Sequence, residues 1–194
     1  MRVRHLLSLL ILSTLPLLLT GCIAVAIVAG AGAAVEGENV AHDNRSMHQQ
    51  FTDRSISDKA HNALTYDVQL NGRSHINVAT YNGVVLLMGQ VQTADLKQHA
   101  QDIVSQIKGV SRVYNELNIG DSASFFSDVD DSWITTKVKA MMLKRKELQS
   151  TDIKVITDNG VVYLMGNVST EQGALAADTA RRVKGVVKVV EAFQ

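Results

Sequence analysis

The chain has 194 residues, with 19 Lys+Arg against 19 Asp+Glu, 46% hydrophobic residues and a single cysteine. Balanced charge gives no case for a protein that holds nucleic acid by bulk electrostatics. One cysteine excludes a disulfide within the chain.

Arg2 and Arg4 precede an apolar run over residues 6–19, broken only by Ser8, Ser13, Thr14 and Pro16. The run ends in Leu19-Thr20-Gly21-Cys22. A basic start and an apolar middle make a targeting segment, and the L-x-G-C end resembles a bacterial lipobox. On this reading residues 1–21 are a lipoprotein signal peptide, and Cys22 carries a covalent lipid; no other cofactor is expected. A plain secretory signal with a chance cysteine is one alternative. An uncleaved membrane helix is another, because residues 23–35 continue apolar. The lipobox at the junction favours cleavage, with residues 22–52 as the acylated cysteine and a flexible Ala/Gly-rich tether. Three acyl chains hold a protein firmly on a membrane, since two signals already suffice. By the sorting rule of such lipoproteins, Ile23 in place of Asp resembles an outer-membrane destination.

The rest of the chain is organised by a repeat. Asn82-Gly83-Val84-Val85-Leu86-Leu87-Met88-Gly89-Gln90-Val91 recurs as Asn159-Gly160-Val161-Val162-Tyr163-Leu164-Met165-Gly166-Asn167-Val168. Ile76-x-Val78 and Lys108-Gly109-Val110 recur as Ile153-x-Val155 and Lys184-Gly185-Val186. Self-similarity of this kind means a duplicated domain. The first copy is assigned residues 53–120, a short linker 121–130, and the second copy 131–194.

Both copies read alike in chain order. A first helix is capped by Ser55 in one copy, where it covers residues 56–70, and by Asp131-Ser132 in the other. Residues 76–81 and 153–157 alternate with period two, as half-buried strands do. Asn82-Gly83 and Asn159-Gly160 signal two-residue hairpin turns, whose central positions need positive φ. The returning strands carry Gly89 and Gly166, at a bulge or a close backbone approach. Leu96, Ala100, Ile103, Val104 and Ile107 share one face of a second helix stopped by Gly109; Leu175, Ala176, Ala180 and Val183 do so before Gly185. Residues 110–119 and 186–193 close each copy, through a right-handed crossover into a parallel strand. The fold class is therefore α+β: two α-β-β-α-β units, each a three-stranded mixed sheet covered by two helices. Units this small are near the lower limit for folding alone, so the copies should pack on each other.

The pattern I-x-V…N-G-x-V-x-L-x-G-x-V…K-G-V, present twice, resembles the BON domain. With the lipobox, Val113-Tyr114-Asn115-Glu116 and Trp133-Ile134-Thr135-Thr136-Lys137-Val138, it is similar to the dual BON-domain outer-membrane lipoproteins of the division- and outer-membrane-stress-associated lipid-binding type. The resemblance implies a non-enzymatic, periplasm-facing, lipid-anchored protein that supports envelope integrity and is enriched at the division site. It also implies binding of anionic phospholipid, phosphatidylglycerol or cardiolipin, through the first helix of the second BON domain.

The residues of that helix read independently the same way. It holds the only Trp of the chain and a run of five bases, Lys137, Lys139, Lys144, Arg145 and Lys146. At about 100° per residue, Ile134, Val138, Met141 and Met142 fall in one sector and form the core face. Trp133, Thr136, Ala140 and Leu143 fall in another, bordered by Lys137 and Lys144 on one side and Lys139 on the other. An apolar stripe headed by Trp and edged by lysines suits an anionic membrane surface. Two other readings stay open: Trp133 packs against the first copy, or the stripe anchors an envelope protein or a peptidoglycan-remodelling partner.

No catalytic or metal site is expected. His42, His48, His61, His75 and His99 are scattered without metal-ligand spacing. G-x-S-x-G is absent, and neither Gly89 nor Gly166 is followed by the G-K-[ST] of a phosphate loop. Tyr81, Tyr114 and Tyr163 read as packing on a sheet face.

Overall fold

The computed structural model describes residues 44–120 and 131–194. The signal peptide, Cys22, most of the tether and the linker 121–130 lie outside the described residues. Asn39–Gln194 forms one compact unit.

The first copy comprises α1 (Met47–Thr65), β1 (Ser74–Tyr81), β2 (Val84–Val91), α2 (Ala94–Ser105), β3 (Arg112–Asn115) and β4 (Asn118–Ile119). The second comprises α3 (Asp131–Lys144), β5 (Ile153–Asp158), β6 (Val161–Gly166), α4 (Thr170–Arg181) and β7 (Lys188–Phe193), with one 3-10 turn (Ser150–Asp152) before β5. In each copy the first two strands pair antiparallel and the closing strand lies parallel to the second. The expected α-β-β-α-β unit with its mixed sheet is present twice.

Four local expectations need correction. Ser55 does not cap α1 but lies inside it; the helix starts earlier, with the Ser46 hydroxyl accepting the Gln49 amide at 3.1 Å. It also ends at Thr65, not near residue 70, because the Asp67 carboxylate takes the amides of Gln69 and Leu70 at 2.9 and 3.1 Å. That local turn competes with helix continuation. Gly109 and Gly185 do not stop their helices directly. Helix α2 ends at Ser105 and α4 at Arg181; i→i+3 turns follow, and each glycine lies inside the last of them, between Ile107 and Val110 and between Val183 and Val186. Lastly, the closing strand of the first copy is interrupted at Glu116-Leu117, where the Asn115 side chain accepts the Leu117 amide at 3.4 Å. β3 and β4 keep one register along β2 across the break.

Both hairpin turns have the predicted backbone: φ is +48° and +77° at Asn82-Gly83, and +52° and +74° at Asn159-Gly160. Gly89 and Gly166 stand in unbroken registers, so neither is a bulge. A Cβ at Gly89 would collide with the His75 carbonyl oxygen, and one at Gly166 with that of Asp152. Close backbone approach is what both glycines serve.

Alternation along the strands divides the core into three layers. Val85, Leu87 and Val91 of β2 face Ile56, Ala60 and Leu64 of α1 and Leu96, Ala100 and Val104 of α2. Val162 and Leu164 of β6 do the same against Ile134, Val138 and Met142 of α3 and Ala176, Ala177 and Ala180 of α4. The residues between them point the opposite way. Ala79, Tyr81, Val84, Leu86 and Met88 meet Tyr163, Met165, Val190 and Ala192 in a third cluster, so the two sheets pack face to face. Tyr81, Tyr114 and Tyr163 all belong to this packing, as expected. Each copy thus buries both faces of its sheet, one under its helices and one under the other copy.

Polar bonds rim the packed sheets. The Tyr81 hydroxyl donates to the Asp152 carbonyl at 3.1 Å, and that of Tyr114 to the Phe193 carbonyl at 2.8 Å. Lys154 donates to the Thr80 carbonyl at 3.1 Å. Burial pushes the pKa of the Tyr163 hydroxyl up, with the Asp158 and Glu116 carboxylates adding to the shift.

Candidate functional site

Helix α3 is held to its own sheet by its buried face, by Thr135 and by Asp131 at its start. Asp131, in the first turn, suits the positive end of the helix dipole. Its carboxylate also accepts the amides of Asn159 and Gly160 at 2.7 and 2.8 Å. The hydroxyls of Thr135 and Thr157 are bonded at 2.7 Å. Ile134, Val138 and Met142 are fully buried beneath the helix, and Met141 is partly buried beside them. The core face is therefore the one read from the wheel.

The other face is directed outward. Trp133 is 45% exposed and Leu143 40%, among the few large hydrophobic side chains so placed. Thr136, Ala140, Lys137, Lys139 and Lys144 are exposed as well. The Lys137 ammonium stands 5.6 Å from the centroid of the Trp133 ring, within cation–π range. Thr136 donates its hydroxyl to the Ser132 carbonyl at 2.9 Å. Trp133 is not among the residues of the cluster that joins the two sheets.

The stripe is not uniform along its length. Its C-terminal part, Lys139 and Leu143, borders a cleft of about 210 Å³ that also has Arg45, Tyr81 and Lys154 in its walls. Arg45 and Tyr81 come from the first copy, so the cleft lies where the copies meet. The Arg45 guanidinium is bonded to Asp53 at 2.6 Å and lies 4.4 Å from the Tyr81 ring centroid. One of the five bases has a different job. Arg145 lies past the end of α3 and donates to Asp178 and Thr179 of α4 at 3.0 and 2.9 Å. The Arg145 bond to Asp178, with those from Arg182, holds the Asp178 carboxyl below its ordinary pKa.

Several residues of this region escape a reading of the sequence. Arg45 and Lys154 lie far from α3 in the chain, and only the packing of the sheets brings them to it. Asp53 and Asp131 are repeat equivalents, and each grips the Asn-Gly turn of its own copy across 29 and 28 residues. The signal was available as an acid at matched spacing before both Asn-Gly pairs. Among the described residues no group of His, Cys, Asp and Glu is placed to hold a metal ion. No helix among them is long and apolar enough to cross a membrane.

The BON domain sequence pattern matches residues 52–121 and again residues 130–194. The chain belongs to the BON domain family. The "Outer membrane lipoprotein DolP" of Haemophilus influenzae is 41% identical over 176 residues, which is 91% of this chain and 89% of that one. The "21 kDa hemolysin" of Actinobacillus pleuropneumoniae is 39% identical over 149 residues, 77% of each chain. A more distant relative, the "Osmotically-inducible protein Y" of Escherichia coli, is 28% identical over 156 residues, 79% of this chain and 77% of that one. Two BON domains and this degree of likeness make the chain a dual BON-domain outer-membrane lipoprotein.

Proposed function

We propose that this BON lipoprotein, anchored by lipid on Cys22 and facing the periplasm, docks on anionic phospholipid through α3 and so supports envelope integrity. The observation that carries the reading is the two-faced character of α3. Ile134, Val138 and Met142 satisfy the helix's own core, yet Trp133 and Leu143 are still turned outward beside Lys137, Lys139 and Lys144. A protein with one buried helix face gains nothing in water from a second apolar one. A headgroup region, by contrast, takes a Trp ring and a Leu into its apolar boundary and attracts the lysines. Phosphatidylglycerol and cardiolipin carry the charge this face would select. Anchor and helix act together, so weak headgroup binding becomes effective through high local concentration. Enrichment at the division site is part of the proposal and rests on the family resemblance.

The test is sedimentation of the Asn39–Gln194 protein with vesicles of phosphatidylcholine, with and without phosphatidylglycerol. Binding that needs the anionic lipid, and that Trp133→Ala or Leu143→Glu removes without changing the fold, supports the reading. A protein that ignores anionic vesicles sinks it, and would leave the adaptor reading, in which the same stripe anchors an envelope protein.

A further inference from the structure

A second cleft, of about 370 Å³, runs along the opening turns of α1 and shares Arg45 and Lys154 with the cleft beside α3. Met47 and Phe51 line it and are 67% and 66% exposed. They stand four residues apart and so share a face of the helix. That face is not the core face, which is made by Ile56, Ala60 and Leu64 farther along. The first turn of α1 carries no acidic residue, although the helix dipole favours one there. Arg54 lines the cleft beside Phe51 and is exposed. The one acid there, Asp53, is 3% exposed, with its carboxylate bonded to Arg45, Gln49 and the turn amides of Asn82 and Gly83. The cleft therefore offers two apolar side chains and one exposed cation, Arg54, outward and keeps its carboxylate inside.

Two relationships place this patch with α3. Arg45 and Lys154 stand in both clefts, so the cleft lined by Phe51 adjoins the one lined by Leu143. The described chain also begins there: Asn44 donates to Thr151 and Asp152 at 3.0 and 2.7 Å. Any anchor upstream of Asn44 is joined to the protein at this edge.

We propose that the opening turns of α1, through Met47, Phe51 and Arg54, are a second membrane contact, and that the first BON domain docks with α3 on the same anionic phospholipid bilayer. This rests on the reading of α3 as membrane-facing. Two contacts on one rigid unit multiply their binding constants, because the second forms at the local concentration set by the first. They also fix the tilt of the protein, which a single helix does not.

The experiment uses Asn39–Gln194, which contains no cysteine, and vesicles of phosphatidylcholine with phosphatidylglycerol. Phe51→Glu is expected to weaken vesicle binding at least about tenfold, the factor that corresponds to 1.4 kcal/mol. A Phe51→Cys protein labelled with an environment-sensitive dye should brighten on the vesicles and be quenched by brominated acyl chains. This readout does not depend on the stability of the charged variant. Unchanged affinity of Phe51→Glu, or a label that stays in water while Trp133→Ala abolishes binding, overturns the second contact and leaves α3 standing. A change in oligomeric state with unchanged vesicle affinity overturns it also, in favour of a second copy on this patch. A parent protein that binds no vesicles overturns both readings together.

Discussion

Asn159 donates its main-chain amide to the carboxylate of Asp131 at 2.7 Å, which ties the start of α3 to the tip of the β5–β6 hairpin. The first copy repeats the bond between Asn82 and Asp53 at 2.8 Å. A two-residue turn leaves amides that its own strands do not use, and in each copy a single carboxylate collects two of them. A second pair of matched bonds, Ser57 to Thr80 at 2.8 Å and Thr135 to Thr157 at 2.7 Å, fixes the same helix to the strand before the turn. The BON unit is thus latched at one end by polar groups, as well as filled by apolar ones.

Removing the latch should cost more in the first copy than in the second. Asp131→Ala loses two bonds to a charged acceptor, about 1.5–3 kcal/mol. Asp53→Ala loses the equivalent two turn amides and, in addition, the bonds from Arg45 and Gln49, so its cost should be the larger. Urea unfolding midpoints of the two variants, compared at equal m-value, check the order.

The packing of the sheets makes one cooperative body of the two copies. Leu86, fully buried between them, should lose about 2–5 kcal/mol on change to Ala. Leu143→Ala on the outer face of α3 should stay within about 0.5 kcal/mol. Both should unfold in a single calorimetric transition; two separate transitions for Leu86→Ala would show the copies to be independent.

Gly89→Ala and Gly166→Ala should each prevent normal pairing of the first two strands in their copy. At Gly89 φ is +105°, a conformation unfavourable for L side chains, and a methyl group would meet backbone instead of a movable side chain. Loss of amide-exchange protection confined to β1–β2 or β5–β6 is the expected signature.

Acid should weaken the contact between the end of α3 and α4. Hydrogen bonds from Arg145 and then Arg182 lower the Asp178 pKa below its ordinary 3.8. A depressed carboxylate pKa stabilises the fold above the unfolded value, and that stabilisation is lost as pH falls through the folded one. Stability should therefore be flat near neutrality and fall below about pH 4. Asp178→Asn should flatten that acid limb in denaturation curves taken across the range.

The lysines of α3 should act through salt-dependent attraction. Each base near an anionic surface contributes about 1 kcal/mol, so Lys137→Gln or Lys139→Gln should weaken vesicle binding about fivefold at low salt. The difference should shrink as salt screens the surface. A salt-independent difference would assign these lysines to packing.

What the sequence reveals follows from the range of each signal. The Asn-Gly turns, the repeat and the close approach at Gly89 and Gly166 are local, and the structure places all of them as read. The face-to-face packing is foreshadowed in Val84 to Met88, apolar on both faces of the strand, which calls for cover on both sides. The start of α1 is not legible in the same way, because Met47 and Phe51 do not continue the core period of Ile56, Ala60 and Leu64, and only Ser46 marks the cap. Arg145 looks like its basic neighbours, and only the approach of α4 separates it from them. At the candidate site the wheel finds Trp133 and Leu143, but Arg45 and Lys154 join them by contacts between copies, which no local pattern encodes.

Asn44 gives the architecture a mechanical consequence. The chain enters the first BON domain, yet its entry point is bonded to Thr151 and Asp152 of the second. A pull on the upstream segment is therefore shared by both domains before it reaches α1. Sliding one sheet over the other would have to break the bonds of Asn44 together with those of Tyr81 and Lys154. The tether joint works as a strap across the seam, and tension along it resists shear between the sheets.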